Sequence, residues 1–188
     1  MQAFVISAGS IAVAEMGDRT QLLALLLATR FHRPWPIAAG ILVATLANHA
    51  LAGFVGMGIG RLLTPTILDM AVGISMLAMA AWTLIPDKVD ENEKTRPHHG
   101  VFVTTLICFF LAEIGDKTQI ATMALAAAYS NLAAVVAGTT IGMLIANLPV
   151  VFMGKVFAGR LPMTLIHRGA ALIFAALGLM FLFRAIAG

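Results

Sequence analysis

Apolar residues form six long runs along the chain, and short polar stretches separate them. The runs cover residues 3–29, 37–60, 67–85, 101–129, 132–157 and 165–186. A helix needs about 20 predominantly apolar residues to cross the hydrocarbon core of a bilayer. The pattern therefore predicts six transmembrane helices in an all-α integral membrane protein.

Two of these runs are interrupted by charged residues in a matching order. The first run contains EMGDRTQ at residues 15–21, and the fourth contains EIGDKTQ at residues 113–119. Glycine tolerates backbone conformations that unwind a helix, so Gly17 and Gly115 predict a local break in each motif helix. In the fifth run, Pro149 predicts a kink.

The two motifs belong to an internal repeat. The second motif follows the first by 98 residues, and Asn147 follows Asn48 by 99. Gly-Arg-Leu at residues 60–62 also returns at residues 159–161. The matches along both halves indicate a duplicated unit rather than a chance similarity of two short motifs.

The repeating unit is a set of three helices. It occupies residues 1–86 and again residues 100–188, and a hydrophilic loop at residues 87–99 joins the copies. Because three is an odd number of spans, the second copy must be inverted in the membrane. Interrupted helices at corresponding positions of two such repeats are typical of the binding site of a secondary transporter.

Basic residues concentrate on one predicted side of the membrane. The other side carries only Arg61 and Arg184, whereas this side carries Arg30, Arg33, Lys88, Lys94, Arg96, Lys155, Arg160 and Arg168. The positive-inside rule makes the basic side cytoplasmic, with the 87–99 loop in the cytosol and both termini outside. Trp35, Trp82 and Tyr129 lie near run ends, as in an aromatic belt at the membrane interface.

The composition excludes several classes of protein. Hydrophobic residues make up 60% of the chain and charged residues 11%, against about 25% charged in soluble domains. This excludes a soluble enzyme, a nucleic-acid binder and a disordered chain. Cys108 is the single cysteine, so an intrachain disulfide and a cysteine metal cluster are excluded. We expect no enzymatic activity and no bound cofactor.

Four carboxylates lie at predicted membrane depth, namely Glu15, Asp18, Glu113 and Asp116. Each costs about 2.5–3.5 kcal/mol at the centre of a membrane helix, so each needs a partner, water or a function. Within a continuous helix, the i, i+3 spacing of each pair would place both carboxylates on one face. If the repeats bring the two motifs together, the four form one oxygen-rich cage.

Neutral polar residues complete this cage, and they are Thr20, Gln21, Asn48, Thr118, Gln119 and Asn147. Oxygen ligands suit Ca²⁺, Mg²⁺ or Mn²⁺. Arg19 and Lys117 compensate two of the four negative charges, which leaves a charge that one divalent cation or two protons would neutralise. Each basic residue is also spaced i, i+4 from its own glutamate, which predicts Glu15–Arg19 and Glu113–Lys117 pairs.

The doubled motif Glu-x-Gly-Asp-(Lys/Arg)-Thr resembles the signature of a family of small cation exchangers. That family includes the Golgi calcium/manganese transporters of eukaryotes and the bacterial manganese exporters of the MneA type. The resemblance covers the whole chain, and it implies Glu15, Asp18, Glu113 and Asp116 as ion-binding carboxylates. It also implies transport of Mn²⁺ or Ca²⁺ with proton antiport. The compact size favours the bacterial branch.

We therefore expect an inner (plasma) membrane protein that exports Mn²⁺ from the cytosol in exchange for protons, by alternating access around a midplane site. Its partners are the transported ion and the lipid bilayer, with no nucleic acid. A Ca²⁺/H⁺ antiporter using the same site is the first alternative. An exporter of amino acids or small organic solutes and a non-transporting membrane scaffold are alternatives of other classes. His49, beside Asn48, is open to a structural or a proton-relay role.

Overall fold

The computed structural model describes residues 1–85, 100–154 and 163–187, with the side chain of Met163 excepted. These residues form helices and no β-strand, which confirms the all-α class. The helices are α1 (Gln2–Glu15), α2 (Arg19–Phe31), α3 (Pro34–Leu62), α4 (Pro65–Thr83), α5 (Val101–Glu113), α6 (Lys117–Ala128), α7 (Leu132–Met153) and α8 (Met163–Ala187).

The helices follow one order twice, with two short helices before two long ones. The first predicted run is divided into α1 and α2, and the fourth into α5 and α6. Gly17 and Gly115 lie at the two divisions with φ angles of 84° and 76°, in the left-handed region that favours glycine. The predicted interruption of both motif helices is therefore confirmed.

Prolines begin two of the long helices. Pro34 and Pro65 occupy the first turns of α3 and α4, where a missing N–H leaves no intrahelical bond unmade. Pro149 instead lies inside α7, which continues to Met153. The kink at Pro149 stays a prediction.

Among the described residues, four helices are long and apolar enough to cross a membrane, namely α3, α4, α7 and α8. At 1.5 Å per residue, α1 and α5 are too short for this, because the motif breaks divide the first and fourth predicted spans. The outer surface of the bundle exposes large apolar side chains, including Leu46, Phe54, Ile145, Leu172 and Phe183. A surface of this kind is stable against lipid and unfavourable against water.

The motif helices of each half pack on the first long helix of the other half, α3 or α7. Helix α1 packs on α7 and α5 packs on α3, while α2 packs on α7 and α6 packs on α3. The last helices of the two halves, α4 and α8, pack on each other. Exchanging the two halves leaves these pairs unchanged, but α4 also packs on α6 and α1 on α8, and comparable α2–α8 and α4–α5 packing is absent among the described residues.

Two glycines at equivalent positions make the first of these contacts close. A Cβ on Gly138 of α7 would lie 2.6 Å from the carbonyl oxygen of Phe4, and a Cβ on Gly40 of α3 would lie 2.9 Å from that of Phe102. Gly138 follows Gly40 by 98 residues and Phe102 follows Phe4 by 98, which is the offset of the two motifs. The equivalence extends from the sequence to the packing, and no other residue fits at either position without moving a backbone.

Several sequence features lie outside the described residues. They are the hydrophilic loop at 87–99, the second Gly-Arg-Leu at 159–161, and the basic residues Lys88, Lys94, Arg96, Lys155 and Arg160. The domain boundaries and the topology that depend on them stay predictions.

Candidate functional site

The glutamate and aspartate of each motif lie on opposite sides of a helix break. Glu15 is the last residue of α1, and Asp18 is the N-cap of α2. Glu113 and Asp116 occupy the same positions between α5 and α6. The prediction that each pair shares one helix face is wrong, because the glycine between them takes a left-handed conformation that ends the helix.

The glutamine of each motif closes its break. The backbone N–H of Gly17 donates to Oε1 of Gln21 at 2.9 Å, and that of Gly115 donates to Oε1 of Gln119 at 2.7 Å. Gln21 also donates through Nε2 to the carbonyl of Ala146 on α7, at 2.8 Å. Both glutamines therefore fix the broken backbone, and Gln21 also ties the first motif to the other half.

The basic residues pair across the two motifs. Arg19 Nη2 lies 2.9 Å from Oδ1 of Asp116, and Lys117 Nζ bonds Oδ1 of Asp18. The predicted pairs with Glu15 and Glu113 rested on i, i+4 spacing in one helix, and that geometry is absent because the helices end at both glutamates. The observed pairs instead link the first half of the molecule to the second.

Three carboxylates converge in the interior. Glu15, Glu113 and Asp116 each place one oxygen so that all three oxygens lie within 4.8 Å of one another. Ligands on opposite sides of a Ca²⁺ ion are up to about 5 Å apart, so this spacing matches that of ligands around one divalent ion. Asp18 is equally enclosed but lies outside this group and bonds Lys117.

Threonine hydroxyls hold the two glutamates. Thr20 donates to Oε2 of Glu15 at 2.6 Å, and Thr118 lies 3.3 Å from Oε2 of Glu113 and 3.3 Å from Oδ2 of Asp116. The other oxygen of each glutamate, Oε1, has no hydrogen-bond partner among the described residues. Each glutamate thus has one anchored oxygen and one oxygen available to a ligand.

The two asparagines are buried but make different contacts. Asn48 donates from α3 to the carbonyl of Phe110 on α5 at 2.9 Å, whereas Asn147 donates to Met143 within its own helix at 3.1 Å. The Oδ1 atoms of both lack a partner in the described part of the chain. These oxygens are free to act as the predicted neutral ligands. Within the described residues, the side-chain hydrogen bonds of the two asparagines go to Phe110 and Met143, and none goes to a carboxylate of the site.

The interior holds further polar atoms that the sequence did not single out as a group. The hydroxyls of Ser7, Thr45 and Thr140 and both ring nitrogens of His49 are buried without a hydrogen-bond partner within the described ranges. An unsatisfied buried polar group costs about 1–3 kcal/mol, so such groups are rare in a purely structural core. The interior of the described bundle therefore contains several buried polar atoms without a partner, whereas its surface is mainly apolar.

Comparison with known proteins identifies a matching family and several relatives. A family model described as "Divalent cation/proton antiporter GDT1" matches residues 3–91 and 101–188. A protein of Vibrio cholerae named "Putative manganese exporter" is 50% identical over 180 residues, which is 95% of this chain and 90% of that protein. A GDT1-like protein of Synechocystis is 31% identical over 185 residues, covering 86% and 87% of the two chains.

Similarity extends to plant proteins at lower identity. A GDT1-like protein 4 of rice, Oryza sativa subsp. indica, is 28% identical over 204 residues, which is 94% of this chain and 72% of the rice protein. No solved structure matches the chain.

Proposed function

The chain belongs to the GDT1 family of divalent cation/proton antiporters, and on that premise we propose that it exports Mn²⁺ from the cytosol in exchange for protons. The observation that carries the proposal is the group of three enclosed carboxylates, Glu15, Glu113 and Asp116. The name of the Vibrio cholerae relative, which is 50% identical, supports Mn²⁺ as the ion.

The proposed ion ligands are all four motif carboxylates. Glu15 and Glu113 present an unbonded oxygen each, and Asp116 contributes an oxygen while its Oδ1 keeps the bond to Arg19. Asp18 joins the set when the Lys117 ammonium moves away from it. Thr20 and Thr118 position the glutamates, and Asn48 and Asn147 supply neutral oxygens nearby.

Charge balance supports exchange rather than one-way binding. The carboxylates contribute four negative charges and Arg19 with Lys117 two positive charges, so the site alone carries two negative charges. One divalent cation neutralises them, and so do two protons on the carboxylates. An empty, fully ionised site is costly in the membrane interior, so the ion leaves when protons take its place.

The proposed architecture is two inverted three-helix repeats, in residues 1–86 and 100–188, that form six membrane spans. The helix pairs that an exchange of the two halves leaves unchanged, among them α1–α7 with α3–α5, and the matched glycine contacts support this arrangement. The site then lies between the repeats near the midplane, and rocking of one repeat against the other opens it to each side in turn. We further propose a plasma-membrane location with the 87–99 loop in the cytosol and both termini outside.

Ca²⁺ is the second candidate ion, because the converging ligands are oxygens and the family model covers divalent cations. Membership of this family favours ion transport over export of organic solutes and over a scaffold role. The same membership agrees with a transporter that is not an enzyme.

Transport in proteoliposomes tests the proposal. Purified protein is reconstituted, and uptake of Mn²⁺, Ca²⁺ and Mg²⁺ is followed with and without a pH gradient. We expect Mn²⁺ uptake that rises when the lumen is acidic, with Asp69→Asn as a matched carboxylate variant outside the site that keeps the flux. Uptake that ignores the pH gradient would overturn the antiport, and faster Ca²⁺ than Mn²⁺ uptake would favour the second candidate.

A further inference from the structure

Helices α4 and α8 pack on each other, and a groove lies between them at one end. The two helices approach each other closely where Gly73 meets Gly178, because a Cβ on either glycine would lie about 3 Å from the other's carbonyl oxygen. Beyond this crossing, the end of α4 and the beginning of α8 enclose a groove of about 370 Å³, lined by Ala80, Ala81, Leu84, Arg168, Ala171 and Leu172.

Small side chains create the groove. Three of the six lining residues are alanines, and leucines flank them. Such a lining takes a hydrocarbon chain and offers no hydrogen bonds to a polar ligand. Because the surface around it carries exposed apolar side chains such as Leu172, the groove opens toward the hydrocarbon of the bilayer.

Arg168 is the exception in this lining. It lies in the second turn of α8 and is exposed, and its side chain makes no ion pair or hydrogen bond within the described residues. Trp82, in the last turn of α4, is also exposed beside the groove, and tryptophan side chains favour the level of the lipid head groups. The groove therefore extends from the head-group level, where Arg168 lies, into the hydrocarbon region.

We infer that the α4–α8 groove binds an anionic glycerophospholipid, with an acyl chain along the alanines and the phosphate on Arg168. A guanidinium group bonds a phosphate through two parallel N–H donors, and basic pockets between membrane helices bind anionic head groups. The lipid contacts one helix from each half of the molecule and stabilises their packing. The inference requires a membrane setting but not the proposed ion transport.

Lipid retention by the purified full-length protein tests this inference. The protein is exposed to an equal mixture of phosphatidylglycerol and phosphatidylcholine, and the bound lipids are counted by native mass spectrometry. We expect retention of phosphatidylglycerol in preference to phosphatidylcholine. Arg168→Gln should lower this retention about fivefold, the effect of one basic residue near an anionic surface, and Arg168→Lys should lower it less.

Two further variants separate this site from general surface charge. Arg61→Gln removes an exposed arginine of α3 outside the groove and should keep the preference, whereas Ala81→Leu fills the groove and should reduce retention of both lipids. An unchanged preference in Arg168→Gln would overturn the inference, and so would an equal loss in Arg61→Gln. Displacement of the lipid by inorganic phosphate alone would overturn it too, since the acyl chain supplies the contact in the groove.

Discussion

The two motifs have the same sequence pattern and the same local fold, but their surroundings differ. The Arg19 side chain is 42% exposed while bonded to Asp116, whereas Lys117, at the equivalent position, is 3% exposed and bonds the enclosed Asp18. Ile114 and Gly115 are exposed in the second break, while Met16 and Gly17 are half-buried in the first.

The contacts of the polar residues differ in the same way. Gln21 reaches the other half through Ala146, and Glu15 receives a short bond from Thr20. In the second motif, the Thr118 hydroxyl is shared between Glu113 and Asp116. The duplicated motif thus makes two different sets of contacts in the two halves of the molecule.

The largest predicted effect is the same for both motifs. Glu15→Gln and Glu113→Gln each remove a charge and a proposed ion ligand, so each should lower Mn²⁺ flux in proteoliposomes by about 100-fold or more, beyond the 10–100-fold typical for residues that only orient metal ligands. The control is Asp69→Asn. It removes a carboxylate near the beginning of α4, outside the site, that pairs with Arg184 of α8. Near-normal flux in either folded glutamate variant would contradict the assignment of the site.

The two basic residues should differ in their effect on stability. Lys117→Gln leaves Asp18 enclosed without its cation, and removing one partner of a buried pair costs about 3–5 kcal/mol. Arg19→Gln also removes the cation of an enclosed carboxylate, Asp116, but water screens the pair through the 42% exposed Arg19 side chain, so this variant should cost less than Lys117→Gln. Thermal unfolding in detergent measures both. A double variant with Asp18→Asn should recover much of the stability lost in Lys117→Gln. Equal losses of stability in Lys117→Gln and Arg19→Gln would contradict the different burial of the two pairs.

The packing glycines give a smaller contrast. Gly138→Ala and Gly40→Ala force a Cβ against a backbone carbonyl at 2.6 and 2.9 Å, and overpacking of this kind costs about 1–3 kcal/mol. We expect the larger loss of thermal stability for Gly138→Ala. Gly58→Ala, where nothing lies within 4 Å of the new Cβ, is the matched control and should be neutral or stabilising. A comparable loss in the control would show that the close contacts are not the cause.

The threonines should show the smallest difference. Thr20→Val removes a 2.6 Å bond to Glu15, and Thr118→Val removes two longer contacts of 3.3 Å. Hydrogen bonds to charged groups contribute about 1.5–3 kcal/mol. We therefore expect Thr20→Val to weaken Mn²⁺ binding by a free energy near the upper value, and Thr118→Val by one near the lower value. Calorimetry measures the Mn²⁺ affinity of both variants. A greater loss of affinity in Thr118→Val than in Thr20→Val would contradict this prediction.

The sequence predicted those parts of the structure that depend on local pattern and duplication. The apolar runs predicted the helices, and Gly17 and Gly115 predicted the breaks, because a left-handed residue is a local property of the chain. The doubled motif also predicted which carboxylates lie in the interior. These features require no knowledge of how the helices pack.

The partners of the charged residues could not be predicted in this way. The spacing of Arg19 from Glu15 indicated a pair only if the helix continued, and the break that the sequence itself predicted removes that geometry. Pairing with Asp116 depends on how α2 meets the second half of the molecule, which is a property of tertiary packing. The different roles of Asn48 and Asn147 depend on packing as well, since their sequence positions are equivalent.

The most direct test of the central claim is the ratio of protons to metal ions exchanged. Proteoliposomes with a pH-sensitive dye inside are given an external Mn²⁺ pulse, and Mn²⁺ entry and proton exit are measured together. A site that holds either one divalent ion or two protons predicts two protons per Mn²⁺ and no effect of an imposed membrane potential. Mn²⁺ entry without proton movement, or a rate that follows the membrane potential, would contradict the account.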